Sequence, residues 1–200
     1  MIEINNLYKQ YGEKMIFEGL NLSINENRVS CITGPSGCGK TTLLKMIAGI
    51  ENYNQGEILG VSHKRMSMVF QEDCLMPWLT VEDNIRYVMS HFTESQQAKK
   101  IEWVLGVLQL KNYGKSKLNE LSGGMKRRVA IARALVYDSE LMLLDEPFRG
   151  LDEQLRWSIL EKLKDHWYCN RQTVLLVTHD IMITNQFDQY IDLGRYVEGK

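Results

Sequence analysis

The first thirty residues alternate apolar and polar positions, as in "MIEINNL" and "LNLSIN". A period of two belongs to strands with one buried face, so this stretch predicts half-buried antiparallel strands. "RVSCIT" (28–33) is instead a short apolar run that ends at a cluster of glycines, and "KTTLLKMIAGI" follows with a helical pattern. Strand, glycine-rich turn and helix in that order open an α/β domain. "RMSMVFQ" (65–71) predicts another strand, after which residues 74–137 read as mostly helical. Thr80 with Asp83, and Thr93 with Gln96, have the spacing of N-caps with a return residue, the second pair matching the capping box more closely. Ile101, Val104, Leu105 and Leu108 then form one apolar helix face. Strand patterns return in "LMLLD" (141–145) and "TVLLVTHD" (173–180), with an amphipathic helix between them. The expected architecture is one domain: an α/β core with an antiparallel β part (1–73 and 138–200), interrupted by a helical subdomain (74–137).

Composition narrows the function classes. At 44% hydrophobic, 24% charged and a net charge of −1, the 200-residue chain resembles an ordinary globular protein. Without a charge excess, nucleic-acid binding would need a local basic patch, and none is expected. Cys31, Cys38, Cys74 and Cys169 form neither a Cys-x-x-Cys pair nor a metal-ligand spacing with the four histidines. That usage fits a reducing, cytoplasmic setting. The opening "MIEINNLYKQYG" lacks the pattern of a signal peptide, and runs such as "LMLL" and "VLLV" are far below the roughly 18–20 residues of a membrane span. Any membrane role is expected to go through a partner.

"GPSGCGKTT" (34–42) changes the picture, because it places Gly, four residues, then Gly-Lys-Thr between a strand and a helix. Glycines 34, 37 and 39 let backbone amides turn inward around an anion, and the helix N-terminus adds its dipole. The whole stretch, Gly34, Pro35, Ser36, Gly37, Cys38, Gly39, Lys40, Thr41 and Thr42, is the candidate phosphate site. Lys40 is expected at the β- and γ-phosphates and the Thr41 hydroxyl at Mg²⁺. "LMLLDEP" supplies the complement, an apolar strand ending in two adjacent carboxylates whose side chains should point to opposite sides. Asp145 is assigned to the metal and Glu146 to the attacking water. Cys38, among loop amides at a helix N-terminus, is expected to be a reactive thiol but no catalytic nucleophile.

"LSGGMKRRVAIARAL" (121–135) raises a second question. A helix opening at Ser122, Gly123 and Gly124 carries Lys126, Arg127 and Arg128 at its positive end, where cations are unfavourable unless an anion sits nearby. Two readings stay open: a second phosphate-facing site, or a solvated basic face. The first makes sense if two copies pair head to tail, so that Ser122–Gly124 of one close over the phosphate held by Lys40 of the other.

"GPSGCGKTT", "VFQED", "LSGGMKRR", "LMLLDEP", "GLD" and "VTHD", in this order, together resemble the ATP-binding cassette ATPase family over nearly the whole chain. The resemblance implies a P-loop NTPase core, a nucleotide-sandwich dimer of identical or paired cassettes, and hydrolysis of ATP with Mg²⁺. It further implies that Gln71 approaches the metal and the attacking water, that His179 contacts the γ-phosphate, that Asp152 lies at the dimer interface, and that Tyr11 stacks on adenine. Met125 stands where the family often has Gln, and Arg149 where a small residue is frequent. "FQEDCLMPWLTVEDNI" (70–85) is similar to the importers for nitrate, sulfonate, taurine and thiamine precursors. The expected partners are therefore an integral-membrane permease and a solute-binding protein, with the chain attached peripherally at the inner face of the membrane. Two alternatives stay open: a soluble cassette acting on nucleic acid or ribosomes, and a P-loop kinase. Leu75, Met76 and Trp78 are read either as permease contacts or as core of the helical subdomain.

Overall fold

In the computed structural model, which describes residues 1–196, the alternating patterns become β1 (Ile2–Tyr11) and β2 (Lys14–Ile24). They pair antiparallel from Ile2 against Ile24 to Tyr11 against Lys14. The apolar run becomes β3 (Val29–Thr33), and α1 (Lys40–Ile47) starts directly after the glycine turn. β4 (Gln55–Leu59), unforeseen from the sequence, pairs with the other edge of β1 to give the order β2-β1-β4. "QGEIL" is too short and too exposed to display a period of two.

β5 (Met66–Val69), β6 (Leu141–Asp145), β7 (Thr173–Val177) and a second unforeseen strand, β8 (Gln189–Asp192), join β3 in a parallel sheet ordered β5-β6-β7-β3-β8. β3, β6 and β7 are buried throughout, which is why they read as continuous apolar runs. Their alternate residues feed two cores. Ile32, Leu141, Leu143, Leu175 and Val177 pack with α1 and the inner face of β1 and β2. Val29, Cys31, Met142, Leu144, Val174 and Leu176 pack on the opposite side. There they meet Ile159, Leu160, Leu163 and Trp167 of α5 (Glu153–Cys169), each fully burying side chain contributing about 1.5–3 kcal/mol.

Between β5 and β6 the chain forms α2 (Val81–Arg86), α3 (Glu94–Val107) and α4 (Gly123–Val136). Both expected caps are present: Thr80 accepts from the Asp83 amide, and Thr93 with Gln96 makes a complete capping box. The face Ile101, Val104, Leu105 and Leu108 is buried. A short α6 (Ile181–Thr184) precedes β8. Among the described residues, no helix is long and apolar enough to cross a membrane.

The strand order fixes where chemistry can happen. β7 lies between β3 and β6, and all three run the same way, so the turns leaving them open on one edge of the sheet. Ligands of parallel sheets bind at that carboxyl edge. Two cross-strand bonds tie the turns together: the Glu146 amide donates to Val177 O at 3.0 Å, and the Thr178 amide to Ile32 O at 3.2 Å.

Candidate active site

The glycine turn after β3 curls around the Lys40 ammonium, which donates to Gly34 O at 2.7 Å and Pro35 O at 2.9 Å. Lys40 is nearly buried while Pro35, Ser36 and Gly37 are exposed, so the lysine fills the inside of the loop and the loop tip faces outward. Gly39 is dictated by packing as well as by its φ of 100°: a Cβ there would fall 2.6 Å from Phe17 Cζ and 2.7 Å from Ile16 Cγ2. β2 thus presses on the base of the loop.

The same contact locates Tyr11. β1 and β2 pair Lys9 with Phe17, Gln10 with Met15 and Tyr11 with Lys14, so Tyr11 sits at the end of the hairpin whose Phe17 touches Gly39. Its ring is half exposed, with Lys9 Nζ 4.3 Å from the centroid. Glu51 and the Asn52 carbonyl hold that ammonium at 2.6 Å each.

Thr41 and Asp145 meet across the sheet edge: the Thr41 hydroxyl donates to Asp145 Oδ2 at 2.6 Å. Asp145 is 2% exposed, so this carboxylate is committed to its neighbourhood. Two hard oxygen donors beside a phosphate loop suit Mg²⁺, which takes one or two protein ligands and fills its octahedron with water and phosphate oxygens. That donor set fits, although no group of three or more His, Cys, Asp or Glu able to hold a metal occurs among the described residues.

Glu146 is separated from Asp145 by a different device from the one expected. The strand ends at Asp145, and Glu146 adopts φ 50°, so a left-handed turn rather than strand pleat sets its direction. His179 Nδ1, just beyond β7, lies 2.9 Å from Glu146 Oε1, an approach without hydrogen-bond alignment that leaves this buried oxygen unsatisfied. Burial pushes the Glu146 carboxyl up to about 7, and the charge of Asp145 adds to the effect; Lys40, Arg149 and Arg127 oppose it. Gln71 is exposed in the loop after β5 and lines one depression with Thr41, Lys45, Phe70, Glu72, Cys74 and Arg149. Lys45, Phe70, Glu72, Cys74 and Arg149 are not assigned to the site from sequence, and the last four lie far from Thr41 in the chain.

α4 begins as expected, with Ser122 as N-cap accepting from the Met125 amide at 3.3 Å. Ser122 and Gly123 are exposed, and a Cβ on Gly124 would lie 3.2 Å from Gly150 O, so the turn before Asp152 backs directly onto this helix start. Asp152 caps α5 through the Leu155 amide. The reading of Arg127 and Arg128 as cations aimed at an anion is corrected. Arg127 is 4% exposed and donates to main-chain carbonyls, and Arg128 donates to Leu108 O and Gln109 O at 2.8 and 3.0 Å. A charge near the positive end of a helix is here matched by inward carbonyl dipoles of the chain itself.

Two other expectations change. Cys38 is buried, its Sγ 4.0 Å from Lys40 Nζ, whereas Cys74 and Cys169 are exposed. A thiol reagent should therefore label Cys74 and Cys169 first and Cys38 slowly, with peptide mass mapping over time as the check; equal rates at Cys38 would contradict the burial. Trp78 is 70% exposed, which excludes it from the core, while Leu75 packs partly against the larger hydrophobic cluster.

Comparison with known proteins agrees with this geometry. The family model described as ABC transporter matches residues 17–149. The aliphatic sulfonates import ATP-binding protein SsuB of Bacillus anthracis is 42% identical over 180 residues, covering 87% of this chain and 71% of that protein. The taurine import ATP-binding protein TauB of Escherichia coli O157:H7 is 38% identical over 190 residues, covering 90% and 74%. The dimeric structure of MJ0796, a bacterial ABC transporter cassette, superposes with a TM-score of 0.87 at 29% identity, covering 97% of this chain and 95% of that one. A post-hydrolysis state of the same cassette bound to ADP and Pi gives 0.86 at 28% identity, with the same coverage. With its fold, its phosphate loop and its relatives in agreement, this chain belongs to the ABC transporter family and is an ATP-binding, ATP-hydrolysing cassette.

Proposed function

We propose that the chain is the ATPase subunit of an importer, working as a pair of cassettes beneath a membrane permease, with a solute-binding protein delivering cargo. The observation that carries this reading is the 38–42% identity, over 87–90% of the chain, to proteins named for import of sulfonates and taurine. The cargo class would be small organic anions of that kind, selected by the partners rather than by this chain. The division into an α/β core and a helical subdomain at 74–137 belongs to the same proposal, as does peripheral attachment to the inner face of the membrane.

In this mechanism, Tyr11 stacks on adenine, residues 34–42 wrap the phosphates with Lys40 as counter-charge, and Thr41, Asp145 and Gln71 would hold Mg²⁺. The metal, when bound, neutralises charge on the phosphate oxygens. Glu146 accepts the proton of the attacking water, and His179, whose Nδ1 lies 2.9 Å from Glu146 Oε1, contacts the γ-phosphate of bound ATP and helps position that carboxylate. Ser122, Gly123 and Gly124 of the second copy complete the site, so nucleotide holds the pair together and hydrolysis releases it. Positioning and fixed dipoles account for most of the rate.

The test is affinity purification of Glu146→Gln protein with MgATP from detergent-solubilised native membranes, with partners identified by mass spectrometry. Recovery of a polytopic membrane protein is expected; reproducible recovery of ribosomal or DNA-associated proteins alone would sink the importer reading. Gly123 tests the pairing, because a Cβ there meets nothing within 4 Å in the single chain. Gly123→Ala should leave melting and ATP affinity within experimental error and weaken ATP-dependent pairing by about tenfold, roughly 1.4 kcal/mol, in light scattering. Undiminished pairing would remove this segment from the interface.

A further inference from the structure

Arg127 lies three residues beyond Gly124 in α4, yet its guanidinium reaches away from the helix start and into the protein. Its donors are taken up by main-chain oxygens from two separate segments. On one side are Phe70 O and Gln71 O, the latter at 3.4 Å, in the loop after β5. On the other are Asp145 O, Glu146 O at 2.9 Å and Pro147 O at 3.2 Å, in the turn after β6. Asp73 is its carboxylate neighbour, at 3.3 Å. These carbonyls lie at or just past the ends of their strands, and burying them without a donor would be costly. A planar guanidinium with five N–H groups can serve several at once in a fixed geometry, which an ammonium cannot.

The two segments are those carrying Gln71 and Glu146, and the side chain that joins them grows from the helix whose first turn is Ser122–Gly124. We infer that Arg127 is a positioning residue for hydrolysis, a tie that makes the start of α4, the Gln71 loop and the Glu146 turn move as one body. Contact made at Ser122–Gly124 by a second copy is then conveyed along α4 to the backbone of both hydrolytic side chains. The inference rests on the assignment of Gln71 and Glu146 to the hydrolytic step. Residues 34–42 make no bond to Arg127 and meet the tie only through Asp145, which accepts from Thr41, so nucleotide binding should be much less sensitive to it than turnover.

The experiment uses the full chain with Arg127→Met, which removes every donor, Arg127→Gln, which restores two N–H groups without the charge, Gln71→Ala, and the double variant Arg127→Met with Gln71→Ala. Melting temperature, the Kd of a fluorescent ATP analogue and turnover at saturating MgATP are measured for each. Arg127→Met is expected to keep the analogue's Kd within about twofold and to lose about ten- to a hundredfold in turnover, the scale of a small misplacement of reacting groups. Arg127→Gln should recover a large part of that loss. The double variant should lose clearly less than the product of the two single losses, because part of the Arg127 effect runs through Gln71 and only the part that runs through Glu146 remains to be lost. Turnover unchanged in Arg127→Met, multiplicative losses in the double variant, or failure of both Arg127 variants to fold would each reduce Arg127 to a structural residue and overturn the inference. Full turnover in Gln71→Ala alone would overturn the assignment of Gln71, and with it this route.

Discussion

Glu146→Gln is expected to lower ATP turnover by about two to four orders of magnitude, the usual contribution of a positioned general base. The amide has nearly the shape of the carboxylate but cannot take a proton, so ATP affinity should stay within a few-fold. Before substitution, the same group should govern the pH dependence. Its folded-state carboxyl is pushed from the usual 4.5 to about 7, first by burial and then by Asp145. The proton-bound, inactive form therefore predominates below that value. The profile of kcat/KM, which reports the free protein, should rise roughly tenfold per pH unit on the acid side and level off above about 7. Folding stability carries the opposite sign: the native state binds this proton more tightly than the unfolded chain, so the contribution is fully present below 4.5 and is lost as pH rises through about 7. Melting curves between these limits should show a downward slope that Glu146→Gln flattens. A flat kcat/KM across the same range in the parent protein would argue that Glu146 is not the base.

Lys40→Ala should have the second largest effect, on binding rather than turnover. The ammonium is 9% exposed and held by Gly34 O and Pro35 O, so its position is set before any phosphate arrives. Charge-assisted bonds to phosphate contribute about 1.5–3 kcal/mol each. Losing one such bond should weaken ATP binding roughly 10- to 200-fold in calorimetric titration. The two carbonyls it serves belong to residues at the solvent edge of the loop, where water can replace the lost donor, so melting should move little. An affinity within threefold of the parent would mean that the loop amides alone carry the phosphates and that Lys40 has been misassigned.

The parts of this fold that could be read from the sequence are those whose cause is local. The phosphate loop is a consecutive run, the caps at Thr80 and Thr93 span three residues, and doubly buried strands such as "LMLLD" display their apolar character outright. β4 and β8 escaped because each is only a few residues long and sits at a sheet edge, held by a neighbour rather than by its own pattern. The roles of Arg127 and Cys38 escaped for a different reason. Arg127 was interpreted by the dipole of its own helix, but its partners lie 18–20 and 54–57 positions away in the chain. Cys38 sits among amides that would activate a thiol, and only the closing of the loop around it withdraws it from solvent. Glu146 was read as the next residue of a strand, whereas its φ of 50° belongs to a turn stabilised from outside, by Arg127 and by the Val177 carbonyl.

The place of β7 between β3 and β6 has a consequence for biosynthesis. A nascent chain released as far as residue 172 already contains the phosphate loop, α4 and both carboxylates, yet it lacks the strand that sets the first and last of these side by side. Until residues 173–177 leave the ribosome, the two halves of the sheet have no common neighbour, and closing that gap requires contacts of long sequence separation. The edge that brings the phosphate loop beside Asp145 and Glu146 is therefore completed late and all at once, after most of the chain has been made.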